Sequence, residues 1–273
     1  MDGATNITRN VAECLLFLMV ITHTSVGPSR KRGRMDGGSS EPGGKFQDRL
    51  QRALHLGADH PEPGVPHSVE AAADAVRSYI EDKYTGAAFD GFGENNPVKI
   101  TSDDLIAVTM LSIHIREKST SSLRPSSILK LDSLADQIAD RLGQIPTDRE
   151  LHTLTQGEFE RWLGPGSPGD ELYWLLRKRA SMPRVAVYKL LARKRLLLMP
   201  IRDTVVERAL GQTQDEWWRP WWEALTTEPE IVSRLAQIRQ RSGAARLSLV
   251  RVADIVPWMT HQSSEKTTRM DST

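Results

Sequence analysis

The sequence predicts an all-α protein, an orthogonal multi-helix array that follows a disordered N-terminal region. Three observations predict it. From Ser68 onward apolar residues recur at helical spacing. The segments open and close on recognisable cap and stop residues. No run alternates apolar and polar in the manner of a half-buried strand. With 273 residues, 39% of them hydrophobic and 26% charged, the chain is long enough to bury a substantial core.

The first element is apolar but short. Cys14 to Ile21 forms an unbroken apolar run, whereas a bilayer-spanning helix needs about 20 residues, and its flanks lack the basic start and small-residue cleavage site of a signal peptide. No membrane span is expected. Residues 27–67 are dense in Gly, Pro, Ser and charge, with too little apolar area to offset chain entropy. Residues 1–67 are therefore expected to be disordered, apart from a short helix at 46–56, with Met35 as an alternative translation start. One helical domain is expected over 68–262, followed by a disordered tail at 263–273.

Within that domain, Ser68 is an N-cap candidate for a helix whose Val69, Ala72, Ala73, Val76, Ile80 and Tyr84 share a face. A helix over 103–115 follows the cap candidates Thr101 and Ser102 and is apolar nearly all round, which places it centrally. The next, over 127–142, carries Ile128, Leu131, Leu134, Ala135, Ile138 and Leu142 on one stripe and stops at Gly143. Thr147 and Glu150 read as a capping box, and Ser167, Pro168 and Asp170 open a helix through LYWLLRKRA. Helices over 184–194 and 203–210 follow, the latter ended by Gly211, then a tryptophan-rich helix from near Asp215. Pro229 leads a helix that Gly243 closes, and a last one covers 247–260. Pro220 and Pro257 are expected to kink or break theirs.

Composition narrows the chemistry. A single cysteine, Cys14, excludes internal disulfides, four-thiolate zinc sites and protein-ligated iron-sulfur clusters, and fits a reducing, cytoplasmic compartment. The seven histidines lack zinc-ligand spacing, so no metal is expected. There is no glycine-rich phosphate loop and no local Ser-His-Asp or Cys-His spacing, which leaves nucleotide hydrolysis and acyl transfer without support and implies no cofactor. The aspartate pair Asp103 and Asp104, like Glu81 with Asp82, reads as caps and solvated charge, because neighbours on a helix point in different directions. Trp217, Trp218, Trp221 and Trp222 could stack bases, but aromatic stripes at helical spacing more often bury apolar area.

The net charge of +1 hides a local imbalance: between Arg177 and Arg208 stand ten basic residues and two acidic ones. Such a block is either the solvated outer face of two helices or a phosphate-binding surface that displaces counterions from nucleic acid. On the second reading Arg184, Lys189, Arg193, Lys194 and Arg195 hold DNA. On the alternative reading the chain is a non-catalytic module whose helical face binds a protein partner.

The segment SMPRVAVYKLLARKRLLLMPIRDTVVERALG resembles the helix-hairpin-helix DNA glycosylase superfamily, through Ile201, Asp203, Thr204, Val206 and Arg208. That resemblance implies a helix-hairpin-helix glycosylase-like architecture and a catalytic role for Asp203, at a helix start facing a flipped nucleotide. Ser181 and Pro183 replace the hairpin glycines, which takes an N–H donor from the phosphate grip. Val185 stands where strand-cleaving relatives carry a lysine, so the implied chemistry is base release alone. Without catalysis, Asp203 is an N-terminal helix residue stabilised by the dipole there. A wider stretch, 68–261, is similar to an actinobacterial family of unknown function, on YTGAAFD, TSDDLIAVTMLSI, QIPTD, LLARKR, IRDTVV and LSLVRVADIVPWM.

Overall fold

The computed structural model describes residues 42–54, 68–116, 122–212 and 216–270. Among these the secondary structure is helical, with one isolated bridge between Ile115 and Leu123. The apolar run Cys14 to Ile21, Met35 and the last three residues lie outside the described residues.

The folded unit begins earlier than expected. Helix α1, Pro42–Ala53, belongs to the same compact unit as the rest of the described chain. Its Phe46, Leu50 and Leu54 are buried, and Phe46 meets the ring of Trp221 edge-on with centroids 5.1 Å apart. The boundary at Ser68 thus misses this helix, because three apolar residues at i, i+4 and i+8 suffice to dock it.

Helix α2, Val69–Ser78, is capped by Ser68, whose hydroxyl accepts the Ala71 N–H at 3.1 Å. It widens into a π turn, Tyr79–Lys83, before a 3-10 turn at Thr85–Ala88. Helix α3, Ser102–Met110, opens on a reciprocal capping box between Thr101 and Asp104. It ends several residues short of the expected boundary, at a turn where Ser112 takes a left-handed φ of 62°. The expected single helix over 127–142 is two, α4 (Pro125–Ser133) and α5 (Ala135–Gly143), separated at Leu134. The capping box proposed at Thr147 forms instead at Thr155 and Glu158, which start α6, Gln156–Trp162.

Helix α7, Pro168–Trp174, is capped by Ser167 and runs into a π turn, Leu175–Arg179. A short connection with Ser181 at φ 59° leads to α8, Arg184–Lys194, in which every residue from Ala186 to Lys194 is buried. Helix α9, Thr204–Leu210, starts on Asp203 and ends on Gly211, whose φ of 66° suits a residue without Cβ. The remaining helices are α10 (Trp218–Thr227), α11 (Pro229–Arg241) and α12 (Leu249–Met270). Pro220 falls in the first turn of α10, where a missing N–H costs nothing. Helix α12 continues through Pro257 and ten residues beyond the expected end at 260. Its first half packs on α1, α2, α9 and α11, whereas α8 packs on α3 and α7.

Candidate functional site

A helix buried on all sides must be apolar or must pair every polar group it carries. Helix α8 carries Lys189, Arg193 and Lys194, with Arg195 next, and the exposed fractions of the four are 2%, 1%, 3% and 2%. An outward cationic face built on them is therefore corrected by burial. Arg193 donates to the carbonyls of Phe89, Asp90 and Phe92, and to Asp104 at 3.4 Å. Lys194 reaches the other Asp104 oxygen at 2.7 Å, and burial lowers its pKa against the pull of that carboxylate. Asp104 is itself fully buried, not solvated. Arg195 donates to the carbonyls of Leu142, Ile145 and Pro97. Burial pushes its guanidinium down to about 10, so it stays charged at neutral pH. These three cations stitch loops to the central helix. Of the five residues expected to hold DNA, Arg184 alone keeps substantial exposure, and it pairs with Glu207 at 3.1 Å.

Lys189 points elsewhere. Its ammonium donates to the carbonyl of Leu111 at 2.7 Å and to Asp203 at 2.8 Å. Asp203 is the N-cap of α9, its other oxygen accepting the Val205 N–H at 2.9 Å. The carboxylate, held by two donors and 19% exposed, borders an open cavity of about 150 Å³. Tyr84 and Trp258 form an aromatic wall, their rings 5.2 Å apart and nearly perpendicular at 88°.

On the same cavity α12 contributes an ion cluster. Arg251 bridges both oxygens of Asp90, donates to Asp254, and reaches the Tyr79 hydroxyl at 2.7 Å. Gly86 lies against that hydroxyl, and a methyl group there would collide with it. Burial raises the Tyr79 pKa. Asp254 is pushed up to about 7, chiefly by burial and further by Asp90, despite the opposing charge of Arg251. The cavity thus holds two carboxylates in different surroundings: Asp203 with a lysine and partial exposure, Asp254 sealed and near neutrality.

Sequence reasoning singled out Asp203 and Lys189 but did not foresee their contact, and it missed Tyr84, Trp258, Arg251 and Asp254. The last two were signalled weakly, as charges three residues apart inside the apolar run LVRVADIV. Segments YTGAAFD, TSDDLIAVTMLSI, IRDTVV and LSLVRVADIVPWM all contribute lining residues to this cavity. The tryptophans Trp217 and Trp221 are buried, and Trp222 stacks on Phe159 at 4.8 Å, which is packing rather than an exposed platform. Among the described residues no cluster of three or more His, Cys, Asp or Glu is placed to hold a metal ion, and no helix is long and apolar enough to cross a membrane.

No curated protein and no solved structure matches the chain. The model of a family of unknown function, DUF6308, matches residues 72–261, more than half of the chain, and the chain belongs to that family.

Proposed function

We propose that the Asp203 cavity binds a single flat heteroaromatic ring of the nucleobase class, and that the Asp203 carboxylate acts on the bond joining that ring to its sugar. The observation that carries this reading is a carboxylate fixed by Lys189 and Val205 at the edge of a ring-sized, aromatic-walled cavity. A cavity of about 150 Å³ accommodates one benzene-sized ring. The perpendicular rings of Tyr84 and Trp258 offer a face and an edge, the two arrangements in which aromatic groups prefer to pack.

As the glycosidic bond breaks, its electron pair leaves with the base, which takes up a proton, while water bonds to the sugar carbon. Positive charge develops on the sugar in between, and a preorganised carboxylate beside it lowers the barrier. Lys189 takes the positioning role, since its ammonium is engaged by Asp203 and the Leu111 carbonyl. Duplex DNA is not part of this reading, because most of the cations expected to track its backbone are spent on internal acceptors. The substrate is a nucleoside or an unpaired nucleotide. The test is chromatography of free base released from nucleosides and from single-stranded oligonucleotides bearing normal and damaged bases. Release by the wild type and none by Asp203→Asn is expected, with ring binding retained by the variant. Failure of the wild type to release any base defeats the catalytic part.

A further inference from the structure

A nucleoside is larger than the cavity assigned to its ring. At about 150 Å³ the Asp203 cavity holds a ring alone, so a sugar attached to that ring lies at the mouth. Two lining residues, Thr85 and Ser112, are exposed and therefore mark the mouth. Both carry hydroxyls. The Thr85 hydroxyl donates to the carbonyl of Met110 at 2.8 Å, which ties it to the turn bearing Ser112 and leaves its oxygen free to accept. The Ser112 hydroxyl has no partner among the described residues.

The backbone at Ser112 is strained. Its φ of 62° is left-handed, a conformation that glycine adopts freely and a residue with a side chain resists. Among the described residues one other non-glycine shares it, Ser181 at φ 59°, and there the hydroxyl accepts from Lys130 at 3.1 Å. At Ser112 the turn instead holds a hydroxyl at a cavity mouth with nothing in the described chain to meet it. Residues held in sparsely populated backbone regions cluster at ligand sites.

Charge decides which form of the sugar fits. The two cations of the lining, Lys189 and Arg251, have side chains 3% and 6% exposed and are held by Asp203, Asp90 and Asp254. Asp203, at 19%, is the charged lining group most open to solvent. Hydroxyls beside a carboxylate, with no exposed cation among the described lining residues, suit a neutral sugar and repel a phosphate.

Given the ring-binding role proposed for the cavity, on which this rests, we infer that the mouth at Thr85 and Ser112 is a sugar site and that the substrate is the free nucleoside, not the nucleotide. Ser112 exchanges a hydrogen bond with one sugar hydroxyl, and the Thr85 oxygen accepts from another.

Calorimetric titration of the full chain with each common nucleoside, its free base and its 5′-monophosphate tests this. For the base that binds, the nucleoside should bind roughly tenfold more tightly than the base alone. The monophosphate should bind roughly tenfold more weakly than the nucleoside, a gap that narrows as salt screens the carboxylate. Ser112→Gly removes the hydroxyl and suits the left-handed backbone, so it keeps the fold. It should remove most of the nucleoside's advantage while leaving the free base unchanged. A nucleoside no tighter than its base, an advantage undiminished by Ser112→Gly, or a monophosphate as tight as its nucleoside would overturn the sugar site and leave the ring-binding role standing. Binding of no base and no nucleoside defeats both.

Discussion

The ammonium of Lys189 lies 2.8 Å from the carboxylate of Asp203, and the lysine side chain is 3% exposed while the aspartate keeps 19%. The pair is asymmetric: a sealed cation holds a carboxylate that faces an open cavity. Lys189→Met leaves Asp203 and the Leu111 carbonyl short of a donor, and should destabilise the fold by roughly 2–4 kcal/mol. Adding Asp203→Asn should cost less than the sum of the two single changes, because the lysine's contact with the carboxylate is already gone. Urea unfolding of the four proteins measures both effects, and simple additivity would show that the contact contributes nothing.

Asp104 and Arg184 make a sharp contrast in burial. Asp104 is fully enclosed between Arg193 and Lys194, so Asp104→Ala strands two cations and should cost about 3–5 kcal/mol. Arg184 has a side chain 35% exposed in its pair with Glu207, and Arg184→Ala should cost less than about 1 kcal/mol. Chemical denaturation ranks the two, and a reversed order would contradict the inward role of the cationic helix.

Asp254 links stability to pH. Its folded value is raised from 3.8 to about 7, mainly by burial, so the folded chain holds that proton more tightly than the unfolded one. The associated stabilisation is complete below the unfolded value and is lost as pH rises through the folded one. Between about pH 4 and pH 8 the wild type should therefore lose stability relative to Asp254→Asn, which carries no titrating proton there. Parallel denaturation curves at several pH values check it, and equal slopes for the two proteins would argue against a buried, protonatable carboxylate.

Phe46 tests where the folded unit begins. Its ring is 2% exposed and packs edge-on against Trp221. Phe46→Ala should cost roughly 3–5 kcal/mol, a value typical of an emptied core site. A change near zero in thermal unfolding would mean that α1 does not belong to the core.

Much of the helix pattern was legible because local signals decide it. Ser68, Thr101, Ser167, Gly211 and Gly243 mark helix ends through hydrogen bonds or left-handed backbone within a few residues. Helix α1 was underestimated because its apolar residues stand in a polar, Gly/Pro-rich setting and gain their burial only from α9, α10 and α12, far along the chain. The cationic helix was misread for a related reason. Periodicity tells which residues share a face, but whether Arg193 meets solvent or the carbonyls of Phe89 and Asp90 is settled by a segment about one hundred residues earlier. Asp203 was visible as a helix start. Its neighbours Tyr84 and Trp258 come from opposite ends of the domain, and no local pattern brings them together.

Calorimetric titration with the common nucleobases and their nucleosides tests the central claim most directly. At least one should bind saturably to the wild type, roughly tenfold more weakly to Trp258→Ala, which loses a wall of the cavity, and about as well to Asp203→Asn. Binding of none of them, or binding that ignores the loss of Trp258, would contradict a ring-binding cavity beside Asp203.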